Sequence, residues 1–357
     1  MFFNLSARIS YFLADFWPYL ILIFVSSALF LLAIYKIFKS ELSFRNKKIG
    51  SSIIFTFLIL IFTFAVFETY FRYIYDQSDG LGFLKVNERW HKRHVIYNNY
   101  FFRDRDFSLV KKEGVVRIGV LGDSIAFGAG IKNVDDRFSN ILERKLSDNG
   151  FNVEIYNLGT PGYDTEGEIQ KYQNVKHLNF GIIIWEYFLN DIQPLEKSTG
   201  TPIISKNSQQ DKVVKFLSDR SFFFDFIYWR FSTRYKKTFE ELKQADLAQY
   251  QNEQVLKKHK EDIAAFIKEL HEADKKIVII IFPFVHLIGP GYPAEKIHQE
   301  MSSYFRSLNV DVIDLLGDLK EKDPKTLVAS EFDPHPNEYV HALAAERLFK
   351  SILPLLK

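Results

Sequence analysis

The sequence predicts an α/β fold in which helices cover a parallel sheet, with two membrane-spanning helices ahead of it. From residue 115 onward, short apolar runs alternate with longer helical patterns, which is typical of a parallel sheet covered on both faces. Before residue 75, two charge-free stretches are each about long enough to cross a bilayer as a helix. The predicted strands are Val116–Leu121, Val153–Leu158, Gly181–Tyr187, Lys276–Phe282 and Val310–Leu315.

The two apolar stretches are residues 16–35 and 49–67. A buried core helix or a cleaved signal peptide is the alternative interpretation. A signal peptide starts with a basic segment, whereas residues 1–15 contain only Arg8 as a basic residue, and a second apolar stretch follows. We therefore predict two transmembrane helices.

The connector between these stretches is basic, with Lys36, Lys39, Arg45, Lys47 and Lys48. Connectors rich in Lys and Arg stay in the cytoplasm. Two passes return the chain to the side from which it started. We therefore expect a two-pass protein of the cytoplasmic membrane whose remaining residues form an extracytoplasmic domain.

The composition narrows the possible chemistry. The chain has 357 residues, no cysteine and a formal net charge of +2. The lack of cysteine excludes disulfides, thiolate metal sites and cysteine nucleophiles. The small net charge gives no strong field for nucleic acid. The histidines do not show a ligand spacing on one helix, so we predict no metal and no cofactor.

The predicted organisation has three parts: a membrane anchor at residues 1–75, a linker and arm at 76–114, and an α/β domain at 115–357. The domain carries an insertion at about 194–250, in which residues 216–239 are rich in aromatic and basic side chains. A substrate lid or a helix on the membrane surface would suit this pattern, but we favour packing onto the domain's own core. Interleaved aromatic and basic residues are also found in proteins that bind single-stranded nucleic acid. The predicted extracytoplasmic location of the domain argues against that function.

Polar residues stand at the ends of the predicted strands and in the last loop. Because the carboxyl ends of parallel strands meet at one edge of a sheet, we expect these residues to share a crevice. The four blocks are Gly122-Asp123-Ser124, Asn157-Leu158-Gly159, Leu189-Asn190-Asp191 and Asp333-Pro334-His335-Pro336-Asn337.

Together these blocks contain the parts needed for acyl transfer. A serine hydroxyl such as that of Ser124 needs a base to take its proton, and His335 is able to act as that base near neutral pH. Asp333 is the candidate that would orient the imidazole. The N–H groups of Ser124 and Gly159 and the amide of Asn190 are candidate donors to an oxyanion. Taken singly, each of these residues is also explained as a turn residue or a helix cap.

The ordered set of blocks resembles the SGNH (GDSL-type) hydrolases, over residues 115–357. The resemblance implies a flavodoxin-like, three-layer α/β/α domain with strand order 2-1-3-4-5. It also implies that Ser124 is the nucleophile, that His335 is the base, and that Ser124, Gly159 and Asn190 form the oxyanion hole. The arm resembles one that precedes this domain in membrane-anchored bacterial members.

The sequence departs from the family pattern at two positions. Phe188 stands where the block around Asn190 often has glycine, which is expected to change the pocket wall. The family's acid often precedes the histidine by three positions, where this chain has Phe332. We therefore choose Asp333, two positions before His335, as the acid.

The sequence thus predicts a serine esterase that removes acyl groups from oxygen esters. Its expected location makes an envelope glycan or lipid the predicted substrate. An O-acyltransferase would use the same acyl-enzyme with a sugar hydroxyl in place of water, and the sequence does not separate the two. A non-catalytic glycan-binding or assembly module is the alternative of another class, for which a degenerate site would be the signature.

Overall fold

The computed structural model describes residues 5–192 and 211–357, with side chains except at residues 5–16, 18–20, 22, 233–236 and 238–239. The chain divides into two compact units. The smaller consists of Met1–Tyr75 and Phe216–Ile227, and the larger of Asp76–Lys215 and Tyr228–Lys357. Most of the polar first part of the predicted insertion, residues 193–210, lies outside the described residues.

Five strands form a parallel sheet in the described part of the larger unit, and their order β2-β1-β3-β4-β5 confirms the predicted one. A short antiparallel ribbon, β6 with β7, follows the sheet in the chain. The sheet strands differ from the predicted ones by no more than one residue at either end, and the ribbon was not predicted. The strands are Val116–Leu121 (β1), Val153–Asn157 (β2), Ile182–Phe188 (β3), Lys276–Phe282 (β4), Asp311–Asp314 (β5), Val328–Ser330 (β6) and Asp333–Pro336 (β7).

The described α-helices begin with α1 (Leu5–Lys39) and α2 (Phe44–Thr69), and the rest follow residue 84. These are Lys85–His94 (α3), Ser124–Phe127 (α4), Phe138–Asp148 (α5), Thr165–Val175 (α6), Lys212–Ser218 (α7), Phe222–Phe231 (α8), Thr233–Gln249 (α9), Glu253–Glu272 (α10), Glu295–Ser307 (α11), Leu316–Leu319 (α12) and Glu338–Ile352 (α13).

Helices cover both faces of the sheet. Successive strand residues point to opposite faces, so Ile183 and Ile279 pack with α6, α10 and α11, whereas Ile184 and Ile280 pack with α5 and α13. All four isoleucines are fully buried. Strands buried on both faces explain why the sequence shows continuous apolar runs instead of alternation.

In the smaller unit, α2 continues as a π-helical turn, Tyr70–Ile74. The combined helix, Phe44–Ile74, has a mean hydropathy of 2.4 over its most apolar part. Its apolar side chains are largely exposed, among them Phe55, Phe57 and Phe62. Among the described residues it is the one helix that is long and apolar enough to cross a membrane. This helix contains the second predicted span. That both predicted spans cross a membrane stays a prediction.

The aromatic part of the insertion packs against other side chains within each unit. Phe223 stacks on Phe67 with ring centroids 5.0 Å apart, and on Phe71 at 5.7 Å. In the larger unit, Trp229 is only 3% exposed and its ring lies 5.0 Å from that of Phe83. These contacts are those of packed residues. For Phe223, however, the packing partner is the long apolar helix and not the core of the α/β domain that we favoured.

A buried carboxylate caps the first turn of α8 within the smaller unit. Glu68 is 1% exposed, and its oxygens accept hydrogen bonds from the N–H groups of Phe222 (3.0 Å) and Phe223 (2.9 Å). The Ser221 hydroxyl also donates to Glu68, at 2.6 Å. Arg72 balances the charge of Glu68 at 2.8 Å. The first N–H groups of a helix have no partner inside it, so Glu68 ties α8 to the long apolar helix.

The arm of the larger unit is also held by a buried charge. Arg103 is 1% exposed and donates to the carbonyl oxygens of Gly128 (2.6 Å) and Ile131 (2.7 Å). Burial, together with the nearby Arg137, lowers the pKa of Arg103 to about 9. Residues 98–104 of this arm form no strand.

We expect Glu68→Ala to loosen α8, because it removes the carboxylate that accepts the N–H groups of Phe222 and Phe223 and pairs with Arg72. Removing one member of a buried ion pair costs about 3 kcal/mol. Amide hydrogen exchange of the full chain in detergent should therefore accelerate at residues 222–231. Glu41→Ala, at an exposed position in the connector, is the control. Equal protection in the two variants would contradict a capping role for Glu68.

Candidate active site

Ser124 is the first residue of α4, directly after β1. The Asp123 carboxylate caps this four-residue helix by accepting the N–H of Ile125 at 2.8 Å. Glu186, on the neighbouring strand β3, accepts the N–H groups of Asp123 (3.2 Å) and Ala126 (3.3 Å). Both carboxylates are fully buried. Together they fix the turn that presents the Ser124 hydroxyl.

Two glycines allow this turn to form. Gly122 has a φ of +152°, and a Cβ there would lie 2.4 Å from Glu186 Oε2. A Cβ on Gly159 would lie 2.2 Å from the backbone nitrogen of Phe127. Real Cβ atoms do not approach other atoms so closely, and such a clash with backbone cannot be relieved by a side-chain rotation. Gly159 is therefore needed because the end of β2 passes directly against α4.

Ser124, His335 and Asp333 lie in one chain of hydrogen bonds. His335 Nε2 is 2.9 Å from Ser124 Oγ, and His335 Nδ1 is 2.5 Å from Asp333 Oδ1. Because an ionised carboxylate only accepts, Nδ1 carries the proton and Nε2 is left to accept the Ser124 hydroxyl. Asp333 and His335 are two residues apart on β7, so their side chains share one face of the strand. This explains how a spacing of two residues brings acid and base together.

The charges at the site favour an imidazolium at His335. Burial disfavours the charged ring, but the Asp333 carboxylate outweighs that effect by its charge and hydrogen bond, and Asp123 and Asp79 add to it. The net result is a raised pKa of His335. Burial alone would raise the pKa of Asp333, yet its hydrogen bonds and the charge of His335 lower it. Asp333 is 1% exposed and remains the anion.

The three predicted oxyanion donors differ in their present contacts. The Ser124 N–H has no hydrogen-bond partner among the described residues. The Asn190 amide is half-buried and donates to Asp123 Oδ2 at 3.2 Å. Ser124 Oγ also lies 3.2 Å from Asp123 Oδ2, so the amide is close to the nucleophile. The Gly159 N–H donates to Asn157 Oδ1 at 2.9 Å. In this state the Gly159 donor is thus engaged within its own loop.

Sequence reasoning assigned no role to three residues that support the site, although Asn157 belongs to one of the predicted blocks. Asn157 donates to Ala126 O (2.7 Å) and Ser139 Oγ (2.8 Å), which holds the end of β2 against α4. Glu186 is an isolated carboxylate in the otherwise apolar strand β3, a signal that could have been noticed. Ser78 donates to Asp333 Oδ2 from the arm, and no sequence signal pointed to it.

Further buried carboxyl groups interact with the charge of Asp123. Glu168 and Asp191 are almost completely buried, like Glu186. Burial comes first among the causes that raise the pKa of all three well above the usual range, and repulsion by the Asp123 carboxylate adds to it in each case. Asp191 also orders its loop by accepting the N–H of Phe188 at 2.8 Å. No group of three or more His, Asp or Glu with the geometry of a metal site occurs in residues 5–192 and 211–357.

Three further histidines of the larger unit are buried or half-buried. His259 is hydrogen-bonded to the Tyr187 hydroxyl at 2.8 Å, and burial lowers its pKa to about 4. His341 accepts the N–H of Phe138 at 3.2 Å. His286, which follows β4, is half-buried, and this burial lowers its pKa to about 4. None of these three imidazoles contacts Ser124.

The two departures from the family pattern have clear positions. Phe188 packs edge-on against Phe284, with ring centroids 4.8 Å apart. Phe332 is 7% exposed and lies under the Arg230 guanidinium. The residue that reaches the imidazole is therefore Asp333, the acid that we chose from the sequence.

No protein-family model matches this sequence, and no curated protein does. Solved structures do match it. The lipase/acylhydrolase from Enterococcus faecalis is 16% identical, with a TM-score of 0.42, over 68% of this chain and 97% of that one. Esterase EstA from Pseudoalteromonas sp. is 16% identical, with a TM-score of 0.39, over 67% of this chain and 98% of that one. A protein described as lipolytic, of the G-D-S-L family, from Desulfitobacterium hafniense is 14% identical, with a TM-score of 0.40, over 66% of this chain and 98% of that one. This last structure carries the name of the family that the motifs resemble.

Proposed function

We propose that this chain is a membrane-anchored serine esterase of the SGNH type, which removes acyl groups from oxygen esters through an acyl-enzyme. The observation that carries the proposal is the continuous hydrogen-bonded chain from Ser124 Oγ through His335 to Asp333. A packing or capping role for these residues would not require a serine hydroxyl on the imidazole nitrogen opposite the carboxylate. The intact chain also argues against a non-catalytic binding module.

In the proposed reaction, His335 Nε2 takes the proton of Ser124 as Oγ attacks the ester carbonyl. Asp333 keeps Nδ1 protonated and stabilises the imidazolium that forms. The tetrahedral intermediate then collapses, and His335 returns the proton to the departing alcohol. Water attacks the acyl-Ser124 ester with His335 again as base, which releases the carboxylic acid and restores the serine.

The developing oxyanion requires donors that are already in place. The free N–H of Ser124 and the amide of Asn190 are the proposed pair, because both lie beside the nucleophile. Gly159 is the proposed third donor. When the oxyanion forms, its N–H would either donate to both the oxyanion and Asn157 Oδ1 or exchange Asn157 Oδ1 for the oxyanion. No metal or cofactor is part of this proposal.

We further propose a two-pass topology with the catalytic domain on the outer side of the cytoplasmic membrane, and an envelope glycan or lipid as the substrate. The support is the basic connector, which includes Arg45, Lys47 and Lys48, and the exposed apolar surface of Phe44–Ile74. An apolar surface of this extent is typical of contact with lipid or another apolar partner.

The first test is covalent labelling of the full chain in detergent with a fluorophosphonate, followed by hydrolysis of p-nitrophenyl acetate. We expect Ser124→Ala to abolish labelling, since the phosphorus is attacked by Oγ. Ser124→Ala, His335→Ala and the double variant should be about equally inactive, because the two residues act as a unit. Labelling that survives in Ser124→Ala would refute the assignment. Loss of the acyl group only when a sugar acceptor is present would identify an acyltransferase instead.

The rate should depend on pH through His335. The ring must be neutral to accept a proton, and its raised pKa keeps the charged, inactive form present to higher pH. We therefore expect kcat/KM to rise through a midpoint above pH 6.5 and then level off. In Asp333→Asn the charge that raises this pKa is gone, so the midpoint should move to lower pH while the plateau falls roughly 10²–10⁴-fold. An unmoved midpoint in that variant would contradict the pairing.

The topology is tested by a reporter fused after Lys357. A fusion to alkaline phosphatase, which is active only outside the cytoplasm, should be active, and a fusion to green fluorescent protein that requires the cytoplasm should be dark. A third fusion after Lys47, in the basic connector, is expected to give the opposite pattern. If the fusion after Lys357 behaves as cytoplasmic, the proposed envelope substrate falls with the topology.

A further inference from the structure

The hydrogen-bonded chain at the site does not end at Asp333. The second carboxylate oxygen, Oδ2, accepts the hydroxyl of Ser78, a residue of the arm that lies 255 positions earlier in the sequence. The remaining oxygen, Oδ1, accepts both Nδ1 and the backbone N–H of His335. Both oxygens of a carboxylate that is 1% exposed are thus paired, and Ser78 supplies the only hydrogen bond to Oδ2 among the described residues.

The position of Ser78 is fixed by its neighbours. Asp79 is 5% exposed and accepts the N–H groups of Leu81 (3.0 Å) and Leu84 (2.7 Å), which closes the turn behind Ser78. The Gly80 N–H donates to Phe332 O at 2.8 Å, directly before Asp333. A Cβ on Gly80 would lie 2.5 Å from Pro334 Cδ, so the arm is in direct contact with the block that carries acid and base.

We infer that Ser78 is a positioning residue for the reaction: it holds the Asp333 carboxylate in the plane and charge state that orient His335, and it acts on the ester only through Asp333. This inference rests on the proposed function. A donor to Oδ2 prevents rotation of the carboxylate and draws part of its charge away from the imidazole. Without that donor, Oδ2 would be buried without a partner, and more of the negative charge of Asp333 would face His335.

The protein contains a matched control for this interaction. Ser302 is 4% exposed and donates to Asp314 Oδ2 at 3.3 Å, and Asp314 Oδ1 lies 2.8 Å from Nδ1 of His298. The arrangement is again serine, aspartate and histidine, in the same unit. Nε2 of His298 is 3.2 Å from the Tyr292 hydroxyl, so no serine nucleophile is present there. Ser302→Ala thus removes the same chemical group from the same kind of contact, away from Ser124.

The test measures kcat and KM for p-nitrophenyl acetate on the full chain in detergent. We expect Ser78→Ala to lower kcat roughly tenfold, with KM within about twofold, because a hydrogen bond to a charged group is lost. Ser78→Thr retains the hydroxyl and should recover most of the rate. Ser302→Ala should stay within about twofold of wild type. In an Asp333→Ala background, Ser78→Ala should have no additional effect, since the residue through which it acts is absent.

A second readout does not depend on turnover. The titration of His335, followed by NMR with histidine labelled at Cε1, should shift to higher pH in Ser78→Ala and remain unchanged in Ser302→Ala. The substitution does not alter the other titratable groups that face His335 or Asp333, which are Asp79, Asp123, His91, His286 and His341.

Each outcome bears on the inference. It is overturned if Ser78→Ala leaves both kcat and the His335 titration unchanged, if Ser302→Ala lowers kcat equally, or if Ser78→Ala lowers the rate further in Asp333→Ala. Failure of the proposed function is recognised separately, as wild-type protein that neither reacts with the fluorophosphonate nor hydrolyses the ester in a Ser124-dependent manner. In that case the NMR titration of Ser78→Ala still decides the inference. An unchanged midpoint for His335 refutes the role of Ser78, and a midpoint shifted to higher pH supports its action on Asp333.

Discussion

The geometry of the site depends on two buried carboxylates that bind backbone N–H groups around Ser124. A helix as short as Ser124–Phe127 does not form on its own, because its first N–H groups have no partners within it. Asp123 accepts one of them from inside the turn, and Glu186 accepts two more N–H groups of the turn from strand β3. The position of Ser124 is therefore set by the pairing of β1 with β3, in which Leu121 lies opposite Trp185. Burying Glu186 is unfavourable for its anion, and its raised pKa is the consequence.

The sheet could be predicted from the sequence because its signals are local. Apolar runs such as Lys276–Phe282 are bounded by polar or turn residues, so their ends were found within one residue. The strand order required the family resemblance, since apolar runs do not reveal which strands are neighbours. The sequence does not predict the ribbon of Val328–Ser330 and Asp333–Pro336. Its two strands contain only seven residues, two of which are prolines, so they show no β pattern. That ribbon nevertheless gives acid and base a common face.

The site could be predicted where chemistry-bearing residues follow strands, as Ser124 and Asn190 do. It could not be predicted where a residue acts through a distant partner. Ser78 is a polar residue in an unremarkable turn, and only the folded arm brings it to Asp333. The hydrogen bond from the Gly159 N–H to Asn157 also depends on the loop conformation and not on residue type. The need for glycine at position 159 also depends on the fold, because a Cβ there would meet the backbone of α4.

In the described part of the larger unit, a serine, an aspartate and a histidine are linked by hydrogen bonds in two places. Comparing the two separates a structural role from a catalytic one. Ser302, Asp314 and His298 connect α11 to β5, and the chain of contacts ends on Tyr292, whose hydroxyl also accepts the N–H of Phe284. Ser78, Asp333 and His335 connect the arm to the ribbon, and that chain ends on Ser124. An aspartate–histidine pair held by a serine is thus not by itself a sign of catalysis in this protein. The difference lies in the group on the far imidazole nitrogen. In one case it is the packed phenol of Tyr292, and in the other it is the half-buried hydroxyl of Ser124 at the start of a helix, whose N–H has no partner among the residues that the structure describes.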